Sequence, residues 1–279
     1  MGDSAVLSRR FRTGLTYLLL FAGAVIFLFP FYHMIVGSFK SNSEINTAEL
    51  SLLPKQWLVS NYEELFHRIP FHQNLLNSLA VAVTFTALSL FLCSLAGYVF
   101  AKHEFPGRDA LFIVLVSTMM IPAQVGYVPL FIIMNRLGWL DTFYPLIIPH
   151  AANAFGIFLM RQYAQAIPDE LLDAARIDGC SKFRLYWAIA LPLLRPGLIV
   201  VGLIFFTTSW NDFQWPLIVL STRERYTAPV ALNSIVGQFV VPFGVILAGV
   251  TLSALPLIAL FLVFQRFFVR GLLAGALRG

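Results

Sequence analysis

Residues 75–100 read LLNSLAVAVTFTALSLFLCSLAGYVF, a run without one Asp, Glu, Lys or Arg, lying between Arg68 and Lys102. A helix needs roughly 20 consecutive apolar residues to cross a hydrocarbon core of about 30 Å, so this stretch predicts a membrane span. Similar uncharged runs separate Arg12 from Lys40, Asp109 from Arg136, Asp141 from Arg161, Arg195 from Arg223 and Arg225 from Arg266, with Asp212 the only interruption. Trimmed of polar ends, they predict six transmembrane helices: Leu15 to Val36, Leu75 to Phe100, Ala110 to Met134, Phe143 to Met160, Gly197 to Leu220, and Phe243 to Gln265. The expected fold class is an all-α integral membrane protein.

Composition agrees. Of 279 residues 58% are hydrophobic and only 12% charged, about half the charged share of an ordinary soluble domain. So little polar side chain leaves a soluble globule and a disordered chain equally excluded. The net charge of +5 forms no clustered basic face, so no nucleic acid partner is expected. Cys93 lies in an apolar run and Cys180 in a polar loop, a spacing that suits neither a disulfide nor a metal.

Arg9, Arg10 and Arg12 precede an apolar run that outlasts a signal peptide and lacks a small-x-small cleavage site, predicting a retained first helix. With the N-terminus in the cytoplasm, thirteen of the nineteen basic residues fall inside, from Arg9 through Lys102, Arg161, Arg176 and Arg195 to Arg278. The positive-inside rule therefore favours six spans with both termini cytoplasmic. Residues 1–74 then form an N-terminal tail, first helix and external segment; residues 75–279 form a core of five helices. In the external segment, Ser60 and Glu63 predict a capping box for a short helix ending near Ile69.

Polar side chains inside spans are expensive and mark either helix packing or a solute path. Asn77, Gln124, Asn153, Trp210, Asn211 and Asp212 are the candidate pathway residues. Asp212 is the sharpest, since a carboxylate costs roughly 2.5–3.5 kcal/mol at a helix centre. It fits two roles: lining a pathway beside an amide and an indole, or a structural one, capping a break before Pro216 or pairing with a basic residue of another subunit.

One loop, at 161–195, carries a message. Pro168-Asp169-Glu170-Leu171-Leu172-Asp173-Ala174-Ala175-Arg176-Ile177-Asp178-Gly179 is followed by Cys180-Ser181-Lys182. Pro168 suits a first helical position, Asp169 and Glu170 suit the positive helix end, Gly179 a left-handed C-terminal cap, and Ser181 the opening of a second helix. On physics alone the helix fits a partner's groove or a bed of lipid headgroups.

The spacing Asp173-Ala174-Ala175-x-x-x-Gly179, continued nine residues later by Ile189-x-Leu191-Pro192, resembles the EAA loop of membrane subunits of binding-protein-dependent ABC importers. Trp210-Asn211-Asp212-Phe213, Trp215-Pro216-Leu217, Gln265-Arg266-x-x-Val269-x-Gly271 and the ending Gly275 to Gly279 narrow the resemblance to the carbohydrate class. Asp173 stands where the motif has Glu, and Cys180 where it has Ala. The resemblance implies a type I ABC importer permease fold in a prokaryotic inner membrane. It also implies ATPase coupling through Glu170, Asp173, Ala174, Ala175, Asp178 and Gly179. The implied partners are a second, different permease, two ATPase subunits that bind the ATP and Mg, an external solute-binding protein, and a sugar; this chain itself would hold no cofactor. Consistently, no G-x-x-x-x-G-K-[ST] run is present.

Two rival classes are weighed. An ion-coupled secondary transporter needs membrane-embedded carboxylates and usually inverted repeats, and here only Asp212 qualifies and no repeat is visible. An intramembrane protease needs a catalytic motif, and neither H-E-x-x-H nor G-x-S-x-G occurs.

Overall fold

The computed structural model describes residues 2–47, 51–236 and 241–276, with side chains described over 12–47, 51–236 and 241–265. Leu277 to Gly279, of the terminal motif, lie outside the described residues. Every regular element among the described residues is helical. The chain groups into two compact units, residues 1–69 with 234–254, and residues 70–233 with 255–279.

Among the described residues, three helices are long and apolar enough to cross a membrane unaided: Arg12–Gly37, Phe71–Lys102 and Phe243–Gln265. These match the first, second and sixth expected spans. The first exposes its apolar side chains, Leu18 at 63% and Ile26 at 70% among them, a surface that only lipid or another apolar helix can satisfy.

The other three expected spans are not continuous helices. Ala110 to Met134 is broken by a 93° bend between Arg108–Met120 and Ala123–Arg136. Pro122 has no N–H to donate and disfavours helical geometry at Ile121, which is extended (φ −89°, ψ 117°). Phe143 to Met160 becomes a single turn, Tyr144–Ile147, and a separate helix, Ala154–Gln165. Pro149 interrupts the ladder, and Asn153 caps the new helix by accepting the Gly156 N–H at 2.8 Å. Gly197 to Leu220 divides into Arg195–Trp210 and Gln214–Val219, and Arg195–Trp210 meets the preceding Lys182–Leu193 at 76°. With each bent pair taken as one span, the count is five.

In the larger unit, Phe71–Lys102 packs along Ala154–Gln165 and Arg195–Trp210. Glycines allow the approach. A Cβ at Gly97 would stand 2.7 Å from the Arg161 nitrogen, and one at Gly156 would stand 2.4 Å from the Phe205 ring and 2.7 Å from Cys93 Sγ. Around these contacts Cys93, Met160, Ala164 and Val201 are fully buried. Small residues bring backbones together and gain dispersion contacts, which is what holds helices in lipid.

In the smaller unit the external segment is folded. Asn61 is buried and donates to the carbonyls of Ser38 (2.8 Å) and Lys40 (2.9 Å). The short helix Ser60–Arg68 is where the sequence places it, but not by a capping box: Val59 takes the N-cap position, with no side-chain cap bond.

Asp141 fastens two loops of the larger unit. It is the one non-glycine residue with positive φ (56°) among those described, a region that Asp tolerates because its short side chain bonds locally. Its carboxylate accepts the N–H groups of Ser221 (2.9 Å) and Thr222 (3.0 Å) and the Thr222 hydroxyl. Arg225 donates to its carbonyl, and the Asp141 N–H donates to Val219 (2.8 Å). Burial pushes this carboxyl up, but the hydrogen bonds and the Arg225 charge outweigh it and hold the group below the usual carboxylate range.

Asp141→Ala should cost about 1–3 kcal/mol locally and speed hydrogen exchange at the Ser221 and Thr222 amides roughly tenfold or more. A depressed carboxylate stabilises the fold above its unfolded pKa of about 4 and is lost as pH falls through its own lower value. Protection in the wild type, corrected for intrinsic rates, should therefore hold from pH 7 to about 4 and decline only below. Loss of protection between pH 5 and 7 would contradict this assignment.

Candidate functional site

Two places in the larger unit concentrate the candidate residues. The first is the loop after Gln165. Its helix runs Asp169–Ile177, with Pro168 immediately before it rather than at the first helical position. Gly179 has φ +83°. The Cys180 N–H donates to Ala175 and the Gly179 N–H to Arg176, both at 3.0 Å, the paired bonds of a Schellman cap. Ser181 then opens the second helix by accepting the Arg184 N–H at 3.3 Å.

The helix presents two faces. Leu172 and Ala175 are buried in a cluster with Tyr98, Ile167, Leu185 and Tyr186. Glu170, Leu171, Asp173, Ala174, Ile177 and Asp178 are exposed, Ile177 at 86%. The two alanines thus divide: Ala175 seats the helix, and Ala174 faces outward beside the Asp173–Arg176 ion pair (2.6 Å). Lys102 anchors the start, donating to the Ile167 carbonyl (2.6 Å) and to Asp169 (2.7 Å). Beside it, His103 lies against Tyr98, ring centroids 5.4 Å apart. Burial pulls its imidazole below the ordinary range; the Lys102 backbone bond opposes this, and the Lys182 and Arg176 charges reinforce it.

The second place is a cavity of about 360 Å³, whose polar lining includes Tyr127, His150, Asn153, Ser209 and Asp212 on aromatic walls of Phe85, Phe205 and Trp215. Its residues come from the three helix breaks: Ala123 and Tyr127 follow the first, His150 and Asn153 flank the second, and Ser209, Asp212 and Trp215 flank the third. Trp215 is fully buried and donates its indole N–H to the Pro145 carbonyl at 2.9 Å. Tyr127 packs on it at 5.3 Å, and His150 meets it edge-on at 6.3 Å. Asp212 lies in the break between Arg195–Trp210 and Gln214–Val219 and lines the cavity.

Of six residues read as pathway candidates, Asn153 and Asp212 line this cavity. Gln124 lies at its margin, next to Ala123 and 3.5 Å from the Gln214 side chain. The remaining three are engaged elsewhere. Trp210 is buried and stacks on Phe206 at 5.7 Å, Asn211 donates back to the Thr207 carbonyl at 2.9 Å, and Asn77 donates to the carbonyls of Glu224 (2.7 Å) and Tyr226 (3.1 Å). Tyr127 and Trp215 line the cavity without having been candidates. Aromatic residues are abundant in this chain, and nothing local marks these two. Among the described residues, no three His, Cys, Asp or Glu side chains are grouped closely enough to hold a metal.

Residues 89–274 match the family described as binding-protein-dependent transport system inner membrane component. The arabinooligosaccharides transport system permease protein of Bacillus subtilis (strain 168) is 34% identical over 259 residues, 92% of each chain. The sn-glycerol-3-phosphate transport system permease protein of Yersinia pestis is 32% identical over 264 residues, 92% of this chain and 94% of that one. Among solved structures, a chain of a bacterial ABC transporter involved in the import of the acidic polysaccharide alginate superposes with a TM-score of 0.81. It is 27% identical, with 94% of this chain and 98% of that chain covered.

Asn153 carries the cap on which one wall of the cavity rests. Asn153→Ala should cost about 1 kcal/mol and lower the midpoint of thermal unfolding by a few degrees, while Asn153→Asp, which keeps the acceptor, should recover most of it. Equal loss in both variants would remove the cap from this account.

Proposed function

The chain belongs to the binding-protein-dependent transport system inner membrane components, and on that premise we propose how it works as a permease subunit of an ATP-driven importer. Its cargo is a sugar or sugar-like solute, and its cavity is this subunit's share of the path. The observation that carries the reading is the convergence of three helix breaks on one polar, aromatic-walled cavity. Irregular backbone at membrane depth is tolerated where it lines a cavity, and half-helix ends are where transporters bind their cargo. Hydroxyl-rich cargo suits such a lining: Asp212, Asn153 and Ser209 exchange hydrogen bonds with hydroxyls, and Tyr127, backed by the buried Trp215, offers a ring to C–H surfaces.

Six spans with both termini cytoplasmic follow if Tyr144–Gln165 crosses as one interrupted element; the positive-inside count supports that orientation. In functional terms residues 1–74 are an addition to a core at 75–279. The loop at 161–195 faces the ATPases, and Asp169–Ile177 is the lever, offering Glu170, Asp173, Ala174, Asp178 and Gly179 outward. Ala175 is its fulcrum on the core. ATP and Mg sit on two partner ATPases. A second permease completes the path and supplies apolar surface for the exposed first helix, and an external binding protein delivers the solute to the loop around Arg223–Arg225.

Two substitutions in the assembled importer test this. A Cβ at Gly179 meets nothing within 4 Å, so Gly179→Val is penalised by its positive φ alone, about 1 kcal/mol or more, while Gly179→Asn tolerates the left-handed region. Solute-stimulated ATPase should fall in the Val variant and persist in the Asn variant; equal, full activity in both would remove the lever. Asp212→Asn keeps the size and most of the hydrogen bonding while deleting the charge, so assembly should survive while the solute concentration for half-maximal transport, or the turnover, shifts severalfold. Unchanged transport at every concentration would exclude Asp212 from the path.

A further inference from the structure

We propose that helix Phe71–Lys102 is a strut linking the external loop 223–228 to the helix Asp169–Ile177, with Asn77 and Lys102 as positioning residues at its two ends. The inference rests on the reading of Asp169–Ile177 as the ATPase-facing lever.

At the outer end, one turn of the helix grips the loop by its backbone. Asn74 donates to the carbonyls of Arg223 (2.9 Å) and Tyr226 (3.0 Å), Asn77 donates to those of Glu224 (2.7 Å) and Tyr226 (3.1 Å), and Ser78 accepts the Ala228 N–H (2.8 Å). Asn74 and Ser78 are buried, so these bonds are shielded from competing water. The loop's own side chains, Arg223, Glu224 and Arg225, remain exposed. Thus the helix holds the main chain of the loop and leaves the side chains of Arg223 and Glu224 exposed to a partner, while Arg225 is held by Asp141.

At the inner end the last residue of the same helix, Lys102, holds the start of the lever. Its ammonium bonds the Ile167 carbonyl at 2.6 Å and Asp169 at 2.7 Å, and its side chain is only 5% exposed. A cation beside a helix N-terminus opposes the helix dipole, and Asp169 in the first turn compensates both. The lever therefore moves in one of two ways. Either Lys102 follows it, or a buried ammonium and a carbonyl lose their partners, the costly case for any buried charge.

The helix runs 32 residues with no interior proline, and from Asn77 to Lys102 it spans roughly 38 Å of rigid backbone. The neighbouring spans of this unit bend by 93° and 76° and absorb displacement at their breaks. Phe71–Lys102 has no such break. Gly97 and Gly156 also hold it within contact distance of its neighbour, so it shifts as one body.

The test uses the importer reconstituted with its second permease, ATPases and binding protein, and reads the ratio of ATPase rates with and without solute-loaded binding protein. Asn77→Leu and Lys102→Met should each reduce that ratio about fivefold, the lower range of allosteric coupling. The double variant should be no worse than the larger single effect, because either substitution cuts the same strut, and Lys102→Arg should restore stimulation. Wild-type stimulation in the single variants, or losses that multiply in the double, would overturn the proposal. If Lys102→Met does not assemble, Asp169→Asn weakens the same contact from its exposed side and must show the same non-additivity with Asn77→Leu; multiplied losses again overturn it. Gly179→Val is measured alongside. Full stimulation in that variant removes the lever and the strut together, whereas its loss with normal Asn77→Leu and Lys102→Met removes the strut alone.

Discussion

A backbone N–H or carbonyl left without a partner in hydrocarbon costs several kcal/mol, and this constraint governs the protein more than any single contact. Continuous helices meet it internally. Where helices of the larger unit stop, polar side chains take over: Asn153 accepts the Gly156 N–H, and Asn74 and Asn77 supply donors to the carbonyls of the 223–226 turn. Even charges read as topological signals serve the backbone. Lys102 donates to the Ile167 carbonyl, and Arg161 donates to that of Phe100 at 3.4 Å while stacking on Phe112 at 4.1 Å. Lys102 and Arg161 thus each satisfy a main-chain carbonyl near a helix end.

What was legible in the sequence follows from the range of the interactions involved. The apolar runs stand out because lipid solvation is a property of about twenty consecutive residues, and three of them are continuous helices as read. The loop 168–181 was legible for the opposite reason: its proline, acidic first turn, left-handed glycine and capping serine each act on their near neighbours in the chain, and all but the proline stand in the positions expected of them. Pro168 falls one position early, an error the size of a helix boundary.

The breaks were harder to read, although their causes are local. Prolines occur in continuous membrane helices too, as Pro30 and Pro256 do here; a proline breaks a span only when neighbours repair the freed groups. Pro122 is followed by a 3-10 turn and a new helix, and Pro149 is followed shortly by the Asn153 cap, so both breaks are repaired close by in the chain. The candidates engaged outside the cavity were hard to separate for a different reason. Asn77 reads as a polar group inside a span, a profile shared by pathway residues and by backbone grips, and its partners lie 147 and 149 residues away. Only the folded chain distinguishes the two uses.

The same constraint explains why the cavity is where it is. Three separate breaks would each need their own polar repair if they faced lipid, at a cost repeated at every break. Brought together they face one another, and Asn153, which caps one of them, lines the same cavity as Asp212, His150, Ser209 and Tyr127. An apolar filling would leave those groups unsatisfied; a filling that carries hydroxyls or water would not. Interrupted helices, a polar cavity between them and an uninterrupted helix packed alongside are thus consequences of one requirement. The broken elements line the cavity, and the unbroken one has side chains near both of its ends that bond main-chain groups of other segments.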